Sequence, residues 1–232
     1  MTLDGYANAG GTGTERGMSL DSLVARARSL TAEAGGGRAV LGIVGAPGAG
    51  KSTLALALAA RLNAGSAARA VVVPMDGLHL AHAELSRLGR VERKGAPDTF
   101  DAAGFLSLLR RIVANDEDVV YAPEFRRDIE DPVASAIPVP RDIPLVIVEG
   151  NYLLLEPSPW GDIGDLLTDS WYLEAQEEVR LERLVARHVA FGRSVEAARA
   201  HALGSDQRNA ELIAPSAHRA DMRVDMSLTV ES

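Results

Sequence analysis

The sequence contains no cysteine, which excludes disulfide staples, thiolate metal sites and cysteine nucleophiles, and fits a reducing compartment. Lysine is nearly absent as well: of 24 basic residues only Lys51 and Lys94 are lysine, the rest arginine. In a chain so biased toward arginine, each surviving lysine calls for a chemical reason. Aromatic residues make up 4%, few for a surface that stacks bases. Acids outnumber bases, 32 against 24, for a net charge of −8, whereas a surface for nucleic acid or anionic lipid carries the opposite sign. No apolar run approaches the roughly 18 residues of a membrane span. The opening stretch MTLDGYANAGGTGTERG has neither the basic start nor the apolar run of a signal peptide. These absences predict a soluble, cytoplasmic protein with no nucleic-acid and no membrane partner.

What is present is enough apolar residue, 47% of 232, to bury a full core without staples. Residues 1–18 read as a flexible leader and 19–232 as one domain, and a homodimer is compatible with the pattern. Ser19 caps a helical pattern through Leu20, Leu23, Val24, Ala27 and Leu30, which ends at Gly35-Gly36-Gly37. Ala39 to Val44, Val71 to Val73 and Leu145 to Val148 are short apolar runs without polar alternation, the signature of strands buried on both faces of a parallel sheet. Trp171-Tyr172-Leu173 is a fourth strand, and Met226 to Val230 a last one. Helical patterns occupy 53–62, 101–114, 176–191 and 194–213. The proline-bearing stretch Val119 to Pro140 reads as an irregular loop or hairpin excursion. Alternating strands and helices imply an α/β, three-layer sandwich with a mainly parallel sheet of about five core strands.

Chemistry concentrates after the first strand. Gly45-Ala46-Pro47-Gly48-Ala49-Gly50-Lys51-Ser52 matches G-x-x-x-x-G-K-[ST] at every fixed position and lies between a buried strand and a helix that begins near Thr53. This is a phosphate-binding loop: glycines let successive amides point inward, Lys51 reaches the β- and γ-phosphates of ATP, and the Ser52 hydroxyl ligates Mg²⁺. A dinucleotide fold would show G-x-G-x-x-G instead. Two acids, Asp76 and Glu149, follow the second and third apolar runs directly, and in a parallel sheet those strand ends face the same crevice. Glu149 is placed to hold Mg²⁺, and Asp76 to accept a substrate hydroxyl's proton or to ligate the metal.

The phosphate loop, Pro74-Met75-Asp76-Gly77, Arg93 to Asp101 (RKGAPDTFD), Val148-Glu149-Gly150-Asn151-Tyr152 and Arg180-Leu181-Glu182-Arg183-Leu184 occur in an order that resembles the phosphoribulokinase, uridine kinase and bacterial pantothenate kinase superfamily. Within it the chain is similar to bacterial nucleoside/nucleotide kinase-like or fructose transport system kinase-like proteins. The resemblance spans about residues 20–230 and implies a P-loop fold with a helical lid, its lid and substrate-facing segments near 90–140 and 180–213. It implies ATP and Mg²⁺ as cofactors, a small-molecule acceptor, Asp76 as catalytic base, and Arg183 and Arg187 as lid arginines over the phosphates. Lys94 to Asp101 matches the block that flanks the acceptor pocket, Tyr121 to Arg127 falls at a substrate-facing loop, and Asn209 resembles an asparagine near the pantothenate kinase site.

The residues themselves add His79, Arg127 and Asn151 as hydrogen-bond donors near Asp76, with Phe100, Phe125 and Tyr152 as walls of the acceptor pocket. Donors outnumber aromatic faces, which favours a sugar or polyol over a uridine-like or pantothenate-like acceptor. The rival from another class is a nucleotide-hydrolysing switch. A guanine-specific switch would carry N-K-x-D, and neither lysine here follows an asparagine.

Overall fold

The computed structural model describes residues 18–65, 69–156 and 158–226, and the leader assigned to 1–17 lies outside the described residues. In chain order the elements are α1 (Leu20–Glu33), β1 (Ala39–Gly45), α2 (Lys51–Leu62), β2 (Ala70–Pro74), α3 (His82–Arg87), α4 (Ala102–Ala114), β3 (Val119–Arg126), β4 (Asp131–Pro140), β5 (Leu145–Gly150), α5 (Trp160–Gly164), β6 (Asp169–Glu174), α6 (Glu177–Ala190), α7 (Val195–His201), α8 (Gln207–Ile213) and β7 (Met222–Asp225). Five strands form one parallel sheet in the order β2-β5-β1-β6-β7.

Alternation along each strand builds the three layers. On β1, Val40 and Val44 join the core under α4, while Leu41 and Ile43 join the core under α1 and α2. On β5, Val146 and Val148 divide from Leu145 and Ile147 in the same way. Successive side chains of a strand point to opposite faces, so a strand covered by helices on both sides must be apolar throughout. All seven residues of β1 and all six of β5 are buried.

Local signals behave as read at several ends. Ser19 accepts from the Ser22 amide at the start of α1, and Asp101 caps α4 through the Gly104 amide. The excursion at 119–140 is a two-stranded antiparallel hairpin, β3–β4, separate from the main sheet. It packs on the turn that follows β2. A side chain at Gly77 would lie 2.3 Å from the Pro123 carbonyl oxygen, so only glycine lets the hairpin approach so closely.

Two expectations change. The helix over 194–213 is present but not α throughout: a π-helical turn at Ala202–Asp206 lies between α7 and α8. It widens the coil and buries Ser205 and Asp206, which α periodicity does not anticipate. The last strand is Met222–Asp225 rather than 226–230; it pairs with β6 from Trp171↔Met222 to Glu174↔Asp225, and 227–230 lie outside the described residues. Among the described residues no helix is long and apolar enough to cross a membrane.

Candidate active site

The parallel register decides which chemistry meets at the C-terminal edge of the sheet. Ile43 pairs with Glu149 across β1 and β5, and Glu149 pairs with Pro74 across β5 and β2. The phosphate loop, Glu149 and Asp76 therefore leave the sheet side by side. The loop passes from Gly45 through Ala46, Pro47, Gly48, Ala49 and Gly50 into α2, which starts at Lys51 with no side-chain cap, the arrangement that receives a phosphate. Thr53 is exposed on the first turn.

Lys51 is only 8% exposed. Its ammonium donates to the carbonyls of Gly45 at 3.0 Å and Ala46 at 3.1 Å. Burial lowers its pKa, with Glu149 and Asp76 acting in the opposite sense. Glu149, 6% exposed, accepts a hydrogen bond from the Ser52 hydroxyl at 3.0 Å. Burial and then the neighbouring Asp76 push its pKa up, against the pull of Lys51. An exposed hydroxyl bonded to a buried carboxylate whose charge is incompletely balanced is a pair of hard oxygen donors suited to Mg²⁺.

Helix α6 closes on the loop from above. Buried Arg180 donates to the Pro47 carbonyl at 3.3 Å and also to the Gln207 side-chain oxygen. A Cβ on Gly48, whose φ is +82°, would lie 2.8 Å from both the Arg180 carbonyl oxygen and Leu184 Cγ. Arg183 lies beside the loop, its guanidinium 3.7 Å from where a Gly50 Cβ would be. Arg187, one turn further, faces the cavity. Burial and then Arg127 lower the Arg187 pKa; two guanidiniums that repel each other across a cleft make a place for an anion.

A cavity of about 770 Å³ extends from the loop toward the hairpin, lined by Pro47, Lys51, Ser52, Asp76, Glu149, Asn151, Arg187 and Asn209 and, on the hairpin side, by His79, Lys94, Phe100, Phe125 and Arg127. Asp76 sits in the turn Met75–Leu78, 39% exposed, with the Arg127 guanidinium 3.6 Å from its carboxylate. His79 Nδ1 bonds the Asp76 carbonyl at 2.7 Å. Its ring packs on Phe100 at 4.0 Å and Phe125 at 4.9 Å, and burial lowers its pKa. Lys94 lies 4.8 Å over the Phe125 ring and 3.7 Å from Glu130. Arg127 lies 5.9 Å over Phe125 and 5.4 Å over Phe191.

The expected walls divide. Phe100 and Phe125 line the cavity, but Tyr152 does not: it is fully buried behind Phe100 at 5.7 Å and against Trp160 at 5.4 Å. Its hydroxyl finds the Gly95 carbonyl at 2.5 Å, as a buried phenol must find an acceptor. Asn209 donates to the same carbonyl at 3.2 Å. Sequence reasoning missed His82, His188, Arg193, His201 and Asp206, all on the cavity wall, and read Arg180 with Arg183 and Arg187 as one helix face toward the nucleotide. Arg180 shares a face with buried Leu184 at helical spacing, a signal that it points inward.

A strand, phosphate loop and helix with a carboxylate closing each of two neighbouring strands define a P-loop phosphotransferase. No family model matches the chain. Over 160 residues it is 39% identical to a Schizosaccharomyces pombe protein provisionally named uridine kinase C227.14, a match covering 67% of this chain and 68% of the other. It is 33% identical over 191 residues to YggC of Escherichia coli K12, covering 82% and 78%. The structure of a protein from Silicibacter sp. TM1040, provisionally named a fructose transport system kinase, superposes with a TM-score of 0.81 at 37% identity, covering 89% of this chain and 99% of that one. The chain belongs to the P-loop kinase family that includes proteins named uridine kinase and pantothenate kinase. It is an ATP-dependent small-molecule kinase.

Proposed function

We propose that the acceptor is a non-aromatic, hydroxyl-rich small molecule, a sugar or polyol, and that one of its hydroxyls receives the γ-phosphoryl group of ATP. The observation that carries this reading is that the two aromatic rings nearest Asp76, Phe100 and Phe125, are already flanked on the cavity wall. Phe125 is flanked by His79, Lys94 and Arg127, and Phe100 by His79, Tyr152 and Trp160. A nucleobase would have to displace one of these groups to stack, while a polyol needs only directional donors and acceptors. Asp76, Lys94, Arg127, Asn151 and Asn209 supply them around one cavity.

In this mechanism the loop amides and Lys51 cradle the triphosphate. Ser52 and Glu149 would hold Mg²⁺, which when bound neutralises charge on the β- and γ-phosphates. Asp76 orients the acceptor hydroxyl and takes its proton as the oxygen attacks. Arg187 and Arg183 lie on the lid side, where charge on the transferring group is stabilised. Little covalent help is required; position and charge suffice.

The test is ADP release across a panel of sugars, polyols, nucleosides and pantothenate. At least one sugar or polyol is expected to show a higher kcat/KM than uridine, cytidine or pantothenate. A nucleoside ahead by tenfold or more reverses the acceptor class and leaves the kinase intact, whereas fast hydrolysis independent of any acceptor favours a switch. Asp76→Asn should bind ATP normally while turnover falls by about 10²–10⁴; a collapse of ATP affinity with turnover retained would instead make Asp76 a metal ligand.

A further inference from the structure

Apart from the acids that meet the phosphates, the described residues contain a second cluster of ligating side chains. His188 on α6, His201 at the end of α7 and Asp206 at the end of the π-helical turn bring three donor atoms within 4.8 Å of one another. His188 Nε2 and Asp206 Oδ2 are 2.8 Å apart. The His201 ring lies edge-on to that of His188, with centroids 4.7 Å apart. His188 and Asp206 are mostly buried and His201 partly so, all on the wall of the acceptor cavity.

The backbone explains how they meet. In an α-helix, residues five apart point in different directions, and a turn closed between i and i+5 brings them round to one side. His201 and Asp206 are five apart and are spanned by that turn. A π turn is rare inside an α-helix and is found frequently at functional sites. Neutralising Asp206 does not require the arrangement, because His188 already bonds it directly and Arg187 and Lys51 add positive charge nearby. The second imidazole is surplus to a structural ion pair. Its other contact is a long one, 3.4 Å from Arg193 to His201 Nδ1, at an exposed position.

We propose that His188, His201 and Asp206 form a binding site for a divalent transition-metal ion of the zinc type, separate from the oxygen donors Ser52 and Glu149. Two imidazoles and one carboxylate suit Zn²⁺ and Co²⁺ and suit Mg²⁺ poorly. For bonds of about 2.0–2.1 Å in tetrahedral geometry the donor atoms stand about 3.3 Å apart. His188 and Asp206 need only widen their contact by about half an ångström, the metal taking the place of the shared proton, and His201 swings inward as Arg193 lets go. A fourth position faces the cavity. The ion would fasten α6, which carries Arg183 and Arg187, to the turn that leads into Asn209, so the lid would be pinned across the acceptor cavity. The site does not depend on which acceptor is used.

The experiment is titration of the full, tag-free, metal-stripped chain with Zn²⁺ by calorimetry, together with the visible absorption of the Co²⁺ complex. One equivalent is expected to bind, insensitive to excess Mg²⁺, with the intense Co²⁺ bands of a four-coordinate site. His201→Ala should weaken binding by at least about 100-fold, while His82→Ala, on the same cavity wall, leaves it unchanged. Arg193→Ala should tighten it, an effect that a purely structural triad does not predict. Since Asp206→Asn threatens the fold, the thermal shift is read on His201→Ala: Zn²⁺ raises the Tm of the natural chain and not of this variant, both folded by circular dichroism. Binding displaced by Mg²⁺, or binding equally strong in His201→Ala, or no saturable binding, overturns the proposal.

Discussion

The two ends of the cavity treat charge in opposite ways. At the phosphate-loop end Lys51, Glu149 and Arg180 are all less than a tenth exposed, and for Lys51 and Glu149 burial outweighs the pull of the opposite charges nearby, so the folded chain carries their desolvation cost before any nucleotide arrives. At the hairpin end Asp76, Arg127 and Glu130 are about two-fifths to three-fifths exposed, and Lys94 about one-fifth. There they pair with one another or lie over Phe125. The first end is built for a ligand that never varies and whose charge completes the site. The second resembles a surface whose pairs are weak enough to be exchanged for an acceptor's hydroxyls.

The largest break in this contrast comes from Lys51→Ala. Removing one preorganised charge at the transferring phosphate is expected to cut turnover at least 100-fold, about 3 kcal/mol of transition-state stabilisation, with circular dichroism unchanged. Near-normal ATP consumption by a folded variant would mean that Lys51 is structural, its bonds to Gly45 and Ala46 being its purpose.

A smaller and more telling effect belongs to Glu149→Gln. An acid whose pKa is raised by folding binds its proton more tightly in the folded chain. It therefore stabilises below the ordinary carboxylate value, and that contribution is lost as pH rises through the folded pKa. Without ligand the variant should melt higher than the natural chain at pH 7, by about 2–4 °C for each kcal/mol of charge burial relieved, and the two should converge below about pH 4. With ATP and Mg²⁺ the order should reverse, because the variant loses the metal's carboxylate. Melting curves across pH, with and without ATP-Mg²⁺, decide it. A variant that melts lower than the natural chain under all conditions would mean that Glu149 is paired rather than strained.

The same contrast separates what the sequence made legible from what it did not. The phosphate loop, Asp76 and Glu149 are local: each follows an apolar run, and parallel register places strand ends together without further information. Lys51 stood out because lysine is so scarce. At the hairpin end the geometry depends on pairings between distant segments, such as Pro123 against Gly77 and Lys94 against Glu130, which no periodicity announces. Asp206 and His201 face one side only because of a π turn inside a stretch whose pattern is helical throughout. Tyr152 went astray for a related reason: its position beside Asn151, just past a strand end, suggested the cavity, but its ring completes the core with Trp160 and only its hydroxyl reaches back toward the site.

That hydroxyl gives the smallest expected effect. The Gly95 carbonyl receives Tyr152 from one side and Asn209 from α8 on the other, and Gly95 follows Lys94, the cation over Phe125. The pair thus fixes an acceptor-side loop from behind without touching the phosphates. Tyr152→Phe removes one donor while the ring keeps its packing, so the loss should be near the net worth of a single hydrogen bond, about 1 kcal/mol. It should appear mainly as a raised KM for the acceptor, with KM for ATP unchanged. Asn209→Ala should act in the same direction. The double variant should lose more than the sum, because only then is the carbonyl left with neither donor. Steady-state kinetics with each substrate varied in turn measure the split, and equal changes in both KM values would show that the loop serves the whole fold instead of the acceptor end.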